Sequence, residues 1–398
     1  MIASARQLFN HQFSEQKYQH FLNDLNQQYT YKIPFRVAES PVFVGKDFKN
    51  KLFKASDDII DFIVRPDFKQ LMADALPDPV RVPNEDKHTL FLALDFAVCT
   101  EEGSGDLVPR LIEMQGFPSL FGYQDFLGNK FYEHYQIPKN LDFHFGKTSD
   151  QYWKQLHKAI VGNHDPENVI LLEIDPMKQN TTIDFLVTKH HLGIEPVHIG
   201  NLIMRNRKLF YKKNGIEIPV HRIYNRVIFD ELLGKPELKT DFHLTEEVEV
   251  EWAGHPNWFF YISKYTMPFL TSDAVPESKF LSDYTTFPAD LQNYVLKPLF
   301  SFSGSGVMFH VTESDILKIP VSDRKNFMLQ RKVHYEPVVQ APDGLVKTEI
   351  RLLFLWDDGA ARPQLITNLA RLSRGEMIGV KFNKDKTWVG GSVCFFEQ

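Results

Sequence analysis

A lysine followed by small residues is the part of the sequence best suited to binding phosphate. Lys297 stands near the end of a strand-like run, and four small residues come soon after it: Ser303, Gly304, Ser305 and Gly306. Small residues let backbone N–H groups approach a polyanion closely, and a lysine supplies a point charge for a phosphate oxygen. The order differs from that of a Walker loop, in which the lysine follows the glycines. An ordinary glycine turn beside a solvated lysine explains this segment equally well.

Acidic side chains lie on two strand-like runs that a turn-rich connection joins. Asp95 lies in the run 89–98, whereas Glu113 and Gln115 lie in the run 109–115. Because alternate residues of a strand share a face, Glu113 and Gln115 are expected side by side, with Met114 on the other face. Two carboxylates and an amide oxygen are hard ligands of the kind that magnesium prefers. The alternative is a pair of unrelated acids on an edge strand facing water.

Charged residues of both signs occupy two strand-like runs near the C-terminus. Glu349 and Arg351 share one face of the run 347–356, and Arg371 lies in the run 365–374. Arginines on adjacent strands suit a transferred phosphoryl group or a substrate carboxylate. An ion pair within the sheet, such as Glu349 with Arg351 or a neighbour, is an equally good interpretation.

Composition and missing motifs exclude several classes of function. The formal net charge of −6 and the pI near 6.2 argue against non-specific nucleic-acid binding. The two cysteines provide neither a disulfide framework nor a zinc motif, and a reducing, cytoplasmic location is expected. No GxSxG or GxGxxG motif supports a hydrolase or a dehydrogenase. No apolar run approaches 18 residues, so no membrane span is expected.

The elements that must position these residues are mixed. The runs 89–98 and 109–115 predict a β-hairpin, and a second apolar strand is predicted after the serine–glycine loop. Strand 168–174, helix 181–191 and strand 193–199 predict a βαβ unit with a parallel pair of strands. Asn214-Gly215 predicts a second hairpin, and helices are predicted at 14–28 and 57–74. The fold class is therefore α/β or α+β with mixed sheets.

Taken together, several short motifs resemble those of the glutathionylspermidine synthetase family. Its Lys-Pro-Leu-Phe-Gly-Arg-Glu-Gly loop is similar to residues 297–307, and its Glu-x-Asn-Ala-Asp motif to residues 112–116. Its Ile-Thr-x-Asn-x-Ser-Arg segment is similar to residues 366–371, and residues 221–226 resemble the Tyr-Arg-Arg strand of related circularly permuted ATP-grasp proteins. The order of the motifs also agrees, since the acidic hairpin precedes the lysine loop.

The resemblance implies a circularly permuted ATP-grasp fold with mixed and antiparallel sheets and a βαβ pre-ATP-grasp-like unit. Residues 1–165 would hold an N-terminal helical region and the metal-binding hairpin, 89–115. Residues 166–245 would form the βαβ unit. Residues 246–398 would form the nucleotide-binding region with the glycine- and serine-rich loop.

The resemblance also implies an ATP-dependent carboxylate–amine ligase that works through an acylphosphate and uses ATP and Mg²⁺. Its metal ligands would be Asp95, Glu113 and Gln115. Its catalytic residues would be Arg371, Arg351 and Lys297. Its nucleotide-binding residues would be Lys264, Lys297, Ser303, Gly304, Ser305, Gly306, Gln330 and Arg371. Lys264 is placed only with a one-residue offset from the family's second nucleotide lysine.

Departures from the family pattern keep other functions open. Ala93 stands where the family has an arginine, for which Arg110 or Arg351 could substitute, and Gln115 stands where asparagine is common. The alternatives are a nucleotide-binding regulatory or scaffold protein without ligase activity, and a small-molecule kinase. The expected partners are small-molecule or peptide carboxylates and amines, with Arg226 or His221 as equally open acid-binding or structural residues. The sequence identifies neither substrate, nor the oligomeric state.

Overall fold

A computed structural model describes residues 1–300, 306–379 and 383–398. The α-helices of these residues are α1 (Ala3–Gln12), α2 (Glu15–Gln28), α3 (Lys46–Ile63), α4 (Phe68–Leu71), α5 (Phe121–His134), α6 (Ser149–Ile160), α7 (Thr182–Leu192), α8 (Phe229–Leu233), α9 (Trp258–Tyr261) and α10 (Glu313–Leu317). The strands are β1 (Val42–Val44), β2 (Phe91–Thr100), β3 (Leu107–Gln115), β4 (Leu141–Asp142), β5 (Val169–Glu173), β6 (Glu195–His198), β7 (Ile203–Arg205), β8 (Lys208–Lys213), β9 (Ile216–Val220), β10 (Arg222–Asn225), β11 (Glu251–Ala253), β12 (Ser278–Phe280), β13 (Tyr294–Pro298), β14 (Phe327–Arg331), β15 (Val339–Ala341), β16 (Gly344–Leu355), β17 (Gln364–Ser373), β18 (Gly390–Ser392) and β19 (Cys394–Glu397).

An antiparallel central sheet in the order β18-β17-β16-β2-β3 carries most of the charged residues singled out above, and β15 pairs with β16 beside it. The pairing of β2 with β3 confirms the predicted hairpin. Nine of the ten residues of β2 are buried. A strand covered on both faces has a nearly continuous apolar sequence, which is why Asp95 stands out within it.

The second sheet, β11-β10-β5-β6, is parallel throughout. The succession β5, α7, β6 confirms the predicted βαβ unit. Helix α7 ends where Gly193 takes a positive φ of 73°, a backbone conformation that glycine adopts without strain. Asn214 and Gly215 both have positive φ and form the turn that connects β8 to β9, as the sequence predicts.

A small sheet, β12-β14-β13, carries Lys297 and Gln330 and has its own hydrophobic cluster, separate from the main core. Residues 332–338 connect this sheet to β15 and the central sheet. The sequence predicts a second strand after the serine–glycine loop, and this prediction is wrong. Within the described residues, Met308 makes only an isolated bridge to Leu296. Strand β14, which comes later in the chain, supplies the partner of β13 instead.

The helix predicted at 57–74 is displaced. Helix α3 starts at Lys46 and ends at Ile63, and the short α4 follows from Phe68. Pro66 accounts for the break, because a proline disfavours helical backbone at the residue before it. The helix predicted at 14–28 is confirmed as α2. At the N-terminus of this helix, the backbone N–H of Lys17 donates to the Ser14 hydroxyl.

Helices are thus combined with parallel and antiparallel sheets, which confirms an α+β class. Among the described residues, every helix is too short or too polar to cross a membrane. The permuted ATP-grasp order remains a prediction.

Candidate functional site

The register of the central sheet brings the acidic and basic residues of four strands together. Asp95 on β2 lies opposite Arg351 on β16 and opposite Glu113 on β3. Glu349 on β16 lies opposite Arg371 on β17. Residues directly opposite each other on paired strands share a face of the sheet. The predicted ligands and arginines therefore lie side by side on one face.

Asp95 is the most enclosed acid of this group, with 2% of its surface exposed. The Arg351 guanidinium binds it with two bonds, from Nε to Oδ1 at 2.5 Å and from Nη2 to Oδ2 at 2.6 Å. Nη1 of Arg351 donates to the Ser119 hydroxyl at 2.9 Å. Two parallel N–H···O bonds are the strongest arrangement available to an arginine and a carboxylate. Both Asp95 oxygens are therefore engaged.

Arg371 bridges two carboxylates. Nη1 donates to Oε1 of Glu349 at 2.8 Å, and Nη2 reaches Oδ2 of Asp95 at 3.3 Å. The other Glu349 oxygen accepts a 2.6 Å hydrogen bond from the Tyr335 hydroxyl. Burial raises the pKa of Glu349, although Arg371 opposes this. Burial alone would lower the pKa of Arg371, but Glu349 and Asp95 raise it above its ordinary value.

Glu113 forms an ion pair with Lys264, the second lysine predicted to bind nucleotide. The Nζ atom of Lys264 lies 3.3 Å from Oε1 of Glu113, and Nε2 of Gln115 donates to the same oxygen at 3.3 Å. Burial would raise the pKa of Glu113, but Lys264 and, more weakly, Arg351 and other cations lower it to about 2. Glu113 is thus an ionised carboxylate surrounded by positive charge.

Lys297 joins the small sheet to the acidic hairpin. Its Nζ atom donates to Oε1 of Gln330 at 2.5 Å and to the Ile112 carbonyl at 3.1 Å. Gln330 is 1% exposed, and its amide donates to the Ser278 hydroxyl at 3.1 Å. Burial lowers the pKa of Lys297 to about 8, and the charge of Glu113 acts in the opposite direction. The lysine-led segment and the acidic hairpin therefore meet in one place.

We call this group of ionisable residues the charge cluster. Its carboxylates are Asp95, Glu113 and Glu349. Its cations are Lys264, Lys297, Arg351 and Arg371. The cations outnumber the carboxylates by one, so the cluster attracts an anion more readily than a free cation.

The space inside the cluster is small. A cavity of about 20 Å³ lies against Glu113, Gln115, Lys264 and Phe300. This volume accommodates about one water molecule.

The carboxylates among the predicted magnesium ligands already bind cations of the chain. Two carboxylates and an amide are chemically suitable ligands, and Asp95 lies opposite Glu113 in the sheet. However, Arg351 and Arg371 bind Asp95, and Lys264 binds Glu113. The residues therefore fit magnesium only when a polyanion enters with the ion and takes over these arginines and the lysine.

Several predicted residues lie elsewhere or outside the described part of the chain. Ser303, Gly304 and Ser305 lie outside the described residues. Gly306 has a positive φ of 70°, and a Cβ atom there would lie 2.8 Å from the Pro298 ring. Arg110 is directed away from the cluster, since its guanidinium donates to the Asp273 carbonyl.

Two residues of this site are not predicted from the sequence, and the partner of Glu349 is left open there between Arg351 and a neighbour. Ser119 and Tyr335 lie in connecting segments, where neither strand periodicity nor a motif marks them. Glu349 was recognised as sharing a face with Arg351, but its partner is Arg371 on the next strand. The pairing of Glu349 with Arg371 depends on the register between β16 and β17, which a single sequence does not specify.

Comparisons with known proteins bear on the fold. A scan against protein-family models found no match, and a search of curated proteins also found none. Among solved structures, the chain is similar to an apo glutathione synthetase-like effector from Globodera pallida, with a TM-score of 0.57 and 12% identity. The match covers 91% of this chain and 95% of the effector. The chain has a glutathione synthetase-like fold.

Breaking the Asp95–Arg351 pair is expected to destabilise the protein strongly. Arg351→Met leaves a buried carboxylate with only the weaker contact from Arg371, and we expect a loss of about 3 kcal/mol in the free energy of unfolding. Urea unfolding measures it. The control, Arg205→Met, breaks an exposed pair with Glu217 and should cost less than about 1 kcal/mol. Equal losses in the two variants would contradict the importance of the buried pair.

The lowered pKa of Lys297 predicts a specific dependence of stability on pH. Between pH 8 and the ordinary lysine value of 10.5, the unfolded chain holds a proton that the folded chain has lost. The free energy of unfolding of the wild type relative to Lys297→Met should therefore rise with pH across this range. Urea unfolding at intervals from pH 7 to pH 10 tests it. Lys208→Met, at an exposed lysine, should show no comparable slope; a flat difference for Lys297→Met would refute the assignment.

Proposed function

We propose that the protein is an ATP-dependent carboxylate–amine ligase whose nucleotide site is of the circularly permuted ATP-grasp type. The observation that supports this proposal is the charge cluster. In it, a lysine of β13 lies near two acids of a distant hairpin and two arginines of β16 and β17. The glutathione synthetase-like fold is consistent with this class of chemistry. The rest of the proposal concerns what these side chains can do.

The cations of the cluster are suited to a triphosphate. Arg371 has 36% of its side chain exposed, so it offers an open surface to an incoming phosphoryl group. Lys264 and Lys297 lie within the cluster and can exchange contacts with chain oxygens for phosphate oxygens. Gln330, on the strand beside Lys297, is the candidate for the adenine side of the site. Phosphoryl transfer depends mainly on alignment and charge neutralisation, which these groups provide.

Asp95, Glu113 and Gln115 would hold magnesium once the triphosphate has taken their present partners. The ion supplies neutralisation of phosphate charge. Before the triphosphate binds, Arg351 orients Asp95 through its bidentate contact, and Gln115 orients Glu113 through its amide. The same acids therefore serve two states of the site.

The proposed reaction has two steps. A substrate carboxylate attacks the γ-phosphorus of ATP, forming an acylphosphate and releasing ADP. An amine then attacks the acyl carbon, releasing inorganic phosphate and a proton as the amide forms. Closure of the small sheet over the site would keep water from the acylphosphate. Part of this sheet packs in a hydrophobic cluster of its own, whereas Met328 of β14 packs in the main core, so opening the sheet would expose Met328.

Binding measurements test the charge argument directly. Calorimetry with Mg²⁺ alone should show no binding below millimolar concentration, whereas a non-hydrolysable ATP analogue should bind, and more tightly when Mg²⁺ is present. Lys297→Ala and Lys264→Ala should each weaken the analogue at least tenfold, because each removes a charge facing the phosphates. Lys208→Ala, at an exposed lysine of β8, serves as the control. Tight binding of Mg²⁺ alone would contradict the proposed dependence on the polyanion.

Turnover measurements test the ligase reaction. When panels of carboxylates and amines are screened, sustained ADP release over many turnovers should require both, because only an amine consumes the acylphosphate. Lys297→Ala and Glu113→Ala should lower this release by at least a hundredfold, whereas Lys208→Ala should not change it. Unchanged release in the two cluster variants would refute the assignment.

A nucleotide-binding protein without turnover is the second candidate. It is favoured by Ala93 and by the complete engagement of Asp95 with arginine. Binding of the ATP analogue without ADP release across the substrate panel would support it. A stable phosphorylated product formed without an amine would instead indicate a kinase.

A further inference from the structure

We infer that Tyr335 is a positioning residue of the proposed phosphate site: through Glu349 it fixes the Arg371 guanidinium beside Asp95. The inference rests on the proposed function, since it assigns the group that orients the arginine facing the transferred phosphate. Its basis is a chain of hydrogen bonds that starts outside the central sheet and ends at Asp95.

Glu349 is held from two sides, one for each carboxylate oxygen. Oε2 accepts from the Tyr335 hydroxyl at 2.6 Å, and Oε1 accepts from Nη1 of Arg371 at 2.8 Å. Glu349 is 3% exposed, so a lost contact is not simply replaced by bulk water. An O–H···O⁻ bond of this length is short and charge-assisted. The hydroxyl therefore restricts rotation of the carboxylate that orients Arg371.

Arg371 depends on this orientation because of how its two terminal nitrogens are used. Nη1 lies on Glu349, and Nη2 makes only a longer contact, 3.3 Å, with Asp95. Asp95 is itself bound in bidentate fashion by Arg351, so it gives Arg371 a weaker hold. Glu349 is thus the main anchor of Arg371, and Tyr335 is the group that fixes the anchor.

Tyr335 is held in place independently of Arg371. It belongs to the connector 332–338 and packs with Val333 against the small cluster of Ala97, Cys99 and Val108. The next residue, Glu336, donates its backbone N–H to the Val98 carbonyl at 2.8 Å and accepts a bond from the Thr100 hydroxyl at 2.9 Å. These contacts attach the connector to β2. Tyr335 therefore keeps its position relative to β2 without help from Arg371.

Tyr335→Phe is the decisive variant, because it removes the hydroxyl and keeps the ring that packs against β2. The full chain is used without nucleotide, and the Nε–Hε resonance of Arg371 is followed by NMR, assigned by its disappearance in Arg371→Lys. We expect this resonance to shift in Tyr335→Phe. Tyr123→Phe is the matched control, because the buried Tyr123 hydroxyl has no hydrogen-bond partner in the described part of the chain. It should leave the resonance in place.

The second readout is the affinity for a non-hydrolysable ATP analogue, measured in a double-mutant cycle. Tyr335→Phe should weaken binding roughly five- to tenfold in the wild type, and less than twofold in the Arg371→Lys background. Equal losses in the two backgrounds, or an unmoved Arg371 resonance, would overturn the inference. If the wild type binds no analogue, the proposed function fails, but the resonance still decides whether Tyr335 positions Arg371.

Discussion

The charge cluster depends on one constraint: Asp95 is a carboxylate inside a strand that is buried on both faces. An uncompensated charge there would be too costly to bury, so cations must reach it from neighbouring strands. Arg351 does so from the strand opposite, and Arg371 does so from the strand beyond. These pairings also oppose any shift in register, because a slip of one residue would turn the charged side chains to the other face of the sheet.

The same compensation limits what the site can accept. All three carboxylates of the charge cluster already contact a cation of the chain. The cavity beside Glu113 and Lys264 holds about one water molecule. A free divalent cation would have to displace these contacts without replacing them. A polyanion together with a cation satisfies both sets of charges at once. In the proposed function, the polyanion and the cation therefore enter the site together.

Part of this arrangement could be read from the sequence and part could not. Asp95 and Glu113 were recognisable because an acid in an apolar strand is conspicuous, and the hairpin that joins them is local. The pairing of Glu349 with Arg371 depends on cross-strand register, which strand periodicity leaves undetermined. Tyr335 was beyond reach for a different reason: it lies in an irregular connector whose path depends on tertiary contacts. Pro66 indicates in the sequence that α3 ends before it, but the helix predicted at 57–74 includes this proline.

The family that the sequence resembles has an arginine at this point of the strand, whereas this chain has Ala93. Ala93 lies opposite Leu353 in the sheet, two residues along β16 from Arg351. The guanidinium of Arg351 reaches Asp95 and Ser119 on the face that Ala93 shares, whereas Arg110 binds a carbonyl elsewhere. The alanine at position 93 therefore does not leave Asp95 without positive charge, because Arg351 supplies it from the adjacent strand.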